Sequence, residues 1–293
     1  EAINIWTNLL QTHLFGWLLV RIYRTKLIVE CSEHPLRHYQ GSKLKRKLGI
    51  YKFFIESNLS DGAFCISRYL IEFYKSHGMN QQKLLLLPST VDAERFNHKY
   101  EAPLSFKYIL YCGSITVQKD GLDILIESFS KISEKFHNVN LVLIGQFYSE
   151  KDEKIIKGLI TKLNLNGRVL LLGLLPRTDI PAFLNNAEIL VLARPNSMVA
   201  DAGFPSKVTE YLATGRPVVV TKVGEISDYL IDNQNAFLSE PDSVNGFAEK
   251  MDFVLSNFEF ALRVGEKGKL LTSTIFNYNI QVKRMIEFIR SLT

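Results

Sequence analysis

The feature that most constrains this chain is a regular alternation of short, nearly continuous apolar runs with segments of helical period. Lys26–Cys31, Gly62–Ile66 and Lys83–Leu87 read as buried strands, because a strand covered on both faces is apolar at nearly every position. Helical patterns separate them at Lys43–Asn58 and Ser67–His77; the second opens on an N-cap serine, Ser67, and stops at Gly78. After Pro88 the alternation restarts. Strands are predicted at Lys107–Cys112, Asn140–Ile144, Arg168–Leu172, Glu188–Ala193, Pro217–Thr221 and Ala236–Leu238. Helices are predicted at Leu122–Phe136, Glu150–Leu163, Asp179–Asn186, Pro205–Thr214 and Val244–Leu255. Strand, helix and strand in turn, with short connections, implies an α/β fold of parallel sheets with helices on both faces.

At 293 residues the chain has room for about two domains. The boundary is predicted near Pro88, where "LLLLPSTVDAERF" leaves a strand for a polar turn. Residues 88–275 then form one complete doubly wound domain, and residues 1–87, with three strands, a partial one. Residues 276–293 hold a final helix, about Gln281–Ser291, with an apolar face of Val282, Met285, Ile286, Phe288 and Ile289. A 46% hydrophobic share excludes a disordered chain. The longest apolar runs, Leu14–Val20 and Val169–Leu175, are seven residues each, against roughly 18 needed to cross a bilayer, so a soluble chain is expected. Leu14–Tyr23 could dock on a membrane, but the preferred reading is a buried helix. No signal-peptide pattern opens the chain, and Glu1 in place of Met predicts that its true beginning is missing.

A net charge of +5 suits an anionic small ligand or an anionic membrane surface and is too weak and scattered for nucleic acid. Cys31, Cys65 and Cys112 form no CxxC pair and read as reduced core thiols of a cytoplasmic protein. His34 and His38 are spaced like helical metal ligands, yet Pro35 and the lack of a third ligand argue against a metal, and none is predicted.

The most informative stretch runs from Ala193 to Thr221, "ARPNSMVADAGFPSKVTEYLATGRPVVVT". A strand ends near Ala193, a loop of about ten residues follows, and a helix begins near Pro205 and stops at Gly215. The amides of its first turn form an anion site at the carboxyl edge of the strands. Lys207 adds charge in that turn, and Glu210 follows one turn deeper, where a carboxylate can accept from both hydroxyls of a ribose. The plain alternative is a solvated i,i+3 ion pair. A second junction of the same kind, "LYCGSITVQKDGLDILIESF", carries Gly113 and Lys119. Two such loops on one sheet suit a diphosphate gripped from two sides.

With these residues in view, the region from Pro88 to about Ser273 resembles the donor-binding domain of retaining GT-B glycosyltransferases of the family-4 type (glycosyl transferases group 1). Gly113 and Lys119 match the family's glycine loop with its downstream lysine. Gly203, Phe204, Glu210, Ala213, Gly215, Pro217 and Val218 match its "GF…E" helix and "A.G.PVV" strand. Gly173 matches the glycine ending its third strand, and "PSTVDAERF" is similar to its opening turn. Two positions depart: the first Glu of Glu–x7–Glu falls on Ala202, and the arginine after the first glycine is Ser114. Lys207 and Arg194 are candidates to supply the lost positive charge.

The resemblance implies GT-B architecture and transfer of a sugar from a UDP- or GDP-sugar to an acceptor hydroxyl with retention, without a cofactor. Gly113, Ser114, Lys119, Arg194, Ala202, Gly203, Phe204, Lys207 and Glu210 become the expected donor-binding set, with Lys119 and Lys207 acting on the departing diphosphate. Residues 1–87 become the later part of an acceptor-side domain, and the final helix one that crosses back to it. There Glu33 and His34, just past strand Lys26–Cys31, are catalytic candidates, with a structural role for His34 as the alternative. Similar proteins build cell-envelope polysaccharides, so a glycan or lipid-linked acceptor and peripheral contact with the inner membrane face are expected. Competing readings are a GT-B sugar-nucleotide epimerase and a non-catalytic nucleotide-sugar-binding fragment. A dinucleotide oxidoreductase lacks its G-x-G-x-x-G, and hydrolase readings lack G-x-S-x-G and a P-loop.

Overall fold

A computed structural model of the chain describes residues 1–6, 9–39 and 42–292, with the side chain of His38 outside the described set. It divides into two units: one of Glu1–Ser89, Ser197–Phe204 and Tyr278–Thr293, the other of Thr90–Asn196 and Pro205–Asn277.

The first unit begins with β1 (Ala2–Ile5), α1 (Leu10–Tyr23), β2 (Lys26–Cys31), α2 (Lys43–Leu59), β3 (Gly62–Cys65), α3 (Arg68–Ser76) and β4 (Leu84–Leu86). Its four strands lie in the order β1-β2-β3-β4, all parallel. Two helix starts are fixed by serine caps. Ser42 Oγ accepts from Lys45 N at 3.1 Å and Ser67 Oγ from Leu70 N at 3.2 Å, each satisfying an amide that the first turn leaves without a partner.

The second unit carries β5 (Lys107–Cys112), α4 (Val117–Asp120), α5 (Leu122–Ser133), β6 (Val139–Ile144), α6 (Glu150–Lys162), β7 (Val169–Gly173), α7 (Ile180–Asn186) and β8 (Ile189–Leu192). A short helix of the first unit, α8 (Met198–Asp201), interrupts it. It resumes with α9 (Ser206–Thr214), β9 (Val218–Thr221), α10 (Ile226–Tyr229), β10 (Phe237–Ser239), α11 (Val244–Ser256) and α12 (Phe258–Lys269). Its six-stranded parallel sheet runs β10-β9-β8-β5-β6-β7. Chain order reverses between β5 and β8, and in an open α/β sheet a ligand crevice opens at that reversal, outside the carboxyl ends of the strands.

The last helix, α13 (Tyr278–Ser291), belongs to the first unit, where Phe288 packs on Phe64 with ring centroids 5.7 Å apart. A Cβ on Gly62 would stand 3.1 Å from the Phe288 ring, so this glycine admits the helix to the sheet.

Three differences from the sequence reading have physical causes. The edge strand β1 has only four residues, with Asn4 breaking its apolar run. The long loop after β8 contains α8, capped by Ser197 Oγ accepting from Ala200 N at 3.1 Å. α12 is absent from the prediction because Gly265 and Gly268 lower its helical propensity. Both are there for contact: a Cβ on Gly265 would lie 2.3 Å from Gly215 O, and one on Gly268 2.4 Å from Asn235 O.

Candidate functional site

The loop after β5 is held open for close approach by its glycines. Gly113 N donates to Ile144 O at 2.9 Å, and a Cβ on Gly145 would fall 1.9 Å from Gly113 O, so the β5 and β6 turns touch backbone to backbone. Gly121 joins α4 to α5 at φ 66°, a conformation that favours glycine, and a Cβ there would meet Ala193 O at 2.0 Å. The β8 loop therefore lies directly against the β5 loop, at the point where strand order reverses.

Lys207, in the first turn of α9, reaches into this junction. A Cβ on Gly113 would lie 2.6 Å from Lys207 Nζ, so the ammonium occupies the space that a side chain at 113 would fill. Nζ donates to Asp120 Oδ2 at 2.5 Å and to Tyr111 OH at 2.8 Å, and it stands 4.6 Å from the Tyr111 ring centre. Tyr111 OH in turn donates to Asp120 Oδ2 at 2.7 Å or to Ser114 O at 2.6 Å. Asp120 is 3% exposed; its Oδ1 makes no hydrogen bond, and Arg194 Nε stands 3.5 Å from it. Arg194, itself buried, donates from Nε to Lys119 O at 3.1 Å, and its own carbonyl accepts from Thr221 Oγ1 at 2.6 Å.

Two cations thus share one carboxylate in a confined space. Burial by itself would raise the Asp120 carboxyl, but Lys207 and Arg194 outweigh it and hold it below the usual carboxylate range. Burial lowers Lys207 below an ordinary lysine, with Asp120 opposing, and lowers Arg194 in the same way. By formal charge the cluster sets two cations against one carboxylate at the carboxyl edge of the sheet.

The predicted residues divide by unit. The second unit brings together Gly113, Ser114, Lys119, Arg194 and Lys207; the side chains of Ser114 and Lys119 are exposed, whereas that of Arg194 is turned inward onto Asp120. Glu210 is half-buried on α9, with Oε1 3.4 Å from Arg95 Nη1. Asp120 and Tyr111 were not singled out by the sequence; an acid directly after Lys119 was the available signal.

Ala202, Gly203 and Phe204 lie in the first unit. Ala202 is a core residue packed with Val29, Cys31, Phe53 and Leu70, and its carbonyl accepts from Ser67 Oγ at 2.7 Å. Phe204 is buried with its carbonyl 3.3 Å from Ser89 Oγ. Both side chains are buried in the first unit. His34 is likewise packed. It is 3% exposed, its ring lies edge-on to Phe73 at 4.9 Å, and its Nδ1 accepts from Leu36 N at 3.0 Å, so it holds a turn together. Burial lowers its pKa, which keeps the ring neutral.

Glu33 forms an ion pair with Arg37, and both border a cavity of about 400 Å³ in the first unit that is also lined by Trp6, His13, Ser32 and Glu56. Glu56 Oε1 has no hydrogen bond there; Lys52 Nζ is 3.0 Å away and His13 Nδ1 3.6 Å. Cys31 and Cys65 are buried and Cys112 half-buried, all as free thiols. Among the described residues no group of three His, Cys, Asp or Glu side chains could hold a metal ion.

The profile of the family "Glycosyl transferases group 1" matches residues 92–271, more than half of the chain and all of the junction just described. The chain belongs to that family. Among its relatives, the uncharacterized glycosyltransferase MJ1178 of Methanocaldococcus jannaschii is 27% identical over 221 residues, covering 75% of this chain and 57% of the relative. The capsular polysaccharide biosynthesis glycosyltransferase CapM of Staphylococcus aureus is 26% identical over 212 residues, covering 72% and 52%. The chain spans between half and three-fifths of the length of these relatives. Its fold matches Anabaena HepE, solved in complex with UDP and glucose, at a TM-score of 0.81 and 17% identity, covering 99% of this chain and 78% of that one. It also matches the sucrose-phosphate synthase of Thermosynechococcus elongatus at 0.77 and 19%, covering 99% and 73%. The architecture is that of GT-B glycosyltransferases.

Proposed function

We propose that the chain is part of a retaining glycosyltransferase that moves a sugar from a nucleoside diphosphate sugar to a hydroxyl of a glycan or lipid-linked acceptor in cell-envelope synthesis. The observation that carries this reading is the cationic junction at the strand-order reversal: Lys207 lies over the bare Gly113 backbone, with one positive charge more than Asp120 neutralises. A diphosphate is the ligand class that fits, since its charge grows when the sugar departs and fixed cations stabilise that growth most strongly away from water.

In this reading residues 88–275 bind the donor and residues 1–87 serve the acceptor side, with 276–293 closing the chain back onto the latter. Lys207 and the exposed Lys119 contact the diphosphate, and the first-turn amides of α9 add their dipole. Glu210 accepts from the ribose hydroxyls after turning from Arg95. The acceptor hydroxyl attacks from the face the diphosphate leaves, and a donor phosphate oxygen takes its proton. Ser114, in place of an arginine, leaves Lys207 as the cation at the glycine loop. Glu33, beside the first unit's cavity, is the remaining candidate for acceptor contact. The enzyme works on the cytoplasmic side of a membrane; the likeness to CapM, a capsular polysaccharide biosynthesis glycosyltransferase, supports the cell-envelope role.

A calorimetric screen of UDP-, GDP-, ADP- and CMP-sugars tests the reading. One nucleotide class should bind, and Glu210→Gln should weaken it by about 2 kcal/mol as a charge-assisted hydrogen bond is lost. Binding of none of the four, or an unchanged affinity in the variant, contradicts it.

A further inference from the structure

Helix α2 has two apolar faces where a sheet-covering helix needs one. Its inward face carries Gly49, Phe53 and Glu56, all buried. At about 100° per residue, Leu44, Leu48 and Tyr51 fall on the opposite side, at i, i+4 and i+7. They are 69%, 56% and 66% exposed, and Phe54 extends the stripe. On the same wheel the exposed Lys43 and Lys47 lie to one side of Leu44, Leu48 and Tyr51 and the exposed Lys45 to the other, while Lys52 is turned to Glu56. The single acid of α2, Glu56, lies on the buried face, so the outer surface is apolar at its centre and purely cationic at its margins.

The neighbouring helix repeats the arrangement. α1 buries His13, Gly16 and Val20 and leaves Leu14, Phe15, Leu18 and Ile22 exposed on its other side. Parallel strands β1, β2 and β3 joined by right-handed crossovers put α1 and α2 on one face of the sheet, and the two helices touch. Both outer stripes therefore point the same way.

We propose that α1 and α2 seat this unit on an anionic phospholipid bilayer, the apolar stripes entering the headgroup–acyl boundary and the flanking lysines meeting lipid phosphates. Charge selects this occupant. A two-fold pairing of copies would set these lysines against themselves, whereas an anionic bilayer complements them on both sides of the stripe. The inference deepens the membrane placement of the proposed function and rests on that reading there, while none of the donor-site residues enters it.

The test is flotation of the chain with vesicles of phosphatidylcholine alone or with added phosphatidylglycerol. Binding should require the anionic lipid and fall about tenfold as salt rises from low to several hundred millimolar. The pairs Leu48→Gln/Tyr51→Gln and Lys43→Ser/Lys47→Ser should each reduce binding about tenfold, with the thermal midpoint and nucleotide affinity unchanged. Hydrogen exchange of the unsubstituted chain should show vesicle protection in α1 and α2, which keeps the test decisive if a variant fails to fold. Equal binding to neutral and anionic vesicles, or protection elsewhere, overturns the proposal. So does a dimer in light scattering that the Leu48→Gln/Tyr51→Gln pair converts to monomer, because the face would then join two copies.

Discussion

Asp120 is bonded to Lys207, 87 positions away in the chain, and that one contact sets the electrostatics of the junction. Replacing it with Asn leaves Arg194 buried without its carboxylate and should destabilise the second unit by on the order of 3 kcal/mol, read from a denaturant midpoint. The pH dependence has a definite sign. The Asp120 pKa is depressed in the fold, so its stabilisation is present above the unfolded value of about 3.9 and is lost as pH falls through the lower folded value. Acid titration of the fold should show that loss in the native chain and lack it in Asp120→Asn. On the alkaline side, burial lowers Lys207, so diphosphate binding should weaken at a pH below that of an ordinary lysine, about 10.4. Without Asp120 the fall should move lower still; an alkaline limb that stays in place counts against Asp120 as the group holding the ammonium. Gly113→Ala makes a separate test. Its methyl meets the flexible end of Lys207 at 2.6 Å on a backbone at φ 155° that L side chains rarely adopt, so nucleotide affinity should drop about tenfold with a stability loss of about 1–3 kcal/mol. The lysines and Glu210 were legible as residue types in the right turns. Asp120 was not, since nothing local signals a partner so distant in sequence. His34 kept two readings because its position at a strand end is visible in sequence and the Phe73 ring against it is not.

Elements were legible to the extent that their burial is written into local pattern. β2 and β5 coincide with the predicted Lys26–Cys31 and Lys107–Cys112, since strands buried on both faces are unbroken apolar runs bounded by turns. The serine cap of α3 was readable for the same local reason. α12 shows the limit. Gly265 and Gly268 read as helix breakers, yet they are what lets the helix press on Gly215 and Asn235. Gly265→Ala should therefore destabilise rather than help. Its methyl would meet backbone on Gly215 and Arg216, and a loss of about 2 kcal/mol is expected in chemical denaturation. A gain, as helix propensity alone predicts, would show that the close approach is not a constraint. α1 differs from its expected environment: Leu14, Phe15, Leu18 and Ile22 are exposed, while His13, Gly16 and Val20 are buried and Trp17 packs beside Val20 and Leu27.

At the scale of the whole molecule, two parallel sheets built on one rule have diverged in what their loops carry. The six-stranded sheet concentrates charge at its order reversal; the four-stranded sheet has a cavity bordered by Glu33 and Arg37 and an outer face of apolar stripes. The α/β class and the doubly wound second unit followed from alternation alone, but the chain's division did not. The return of α13 to the first unit was an expectation of the family resemblance, whereas α8 joins that unit from far along the sequence with no local pattern to record it. The central claim is that Lys207, held over the Gly113 backbone, grips a nucleotide's diphosphate. Titrating UDP and uridine, or the guanosine pair if the screen selects it, against the native chain and Lys207→Met measures this most directly. The variant should lose about tenfold to a hundredfold in affinity for the diphosphate and nothing for the nucleoside. Equal losses for both, or none for the diphosphate, would contradict it.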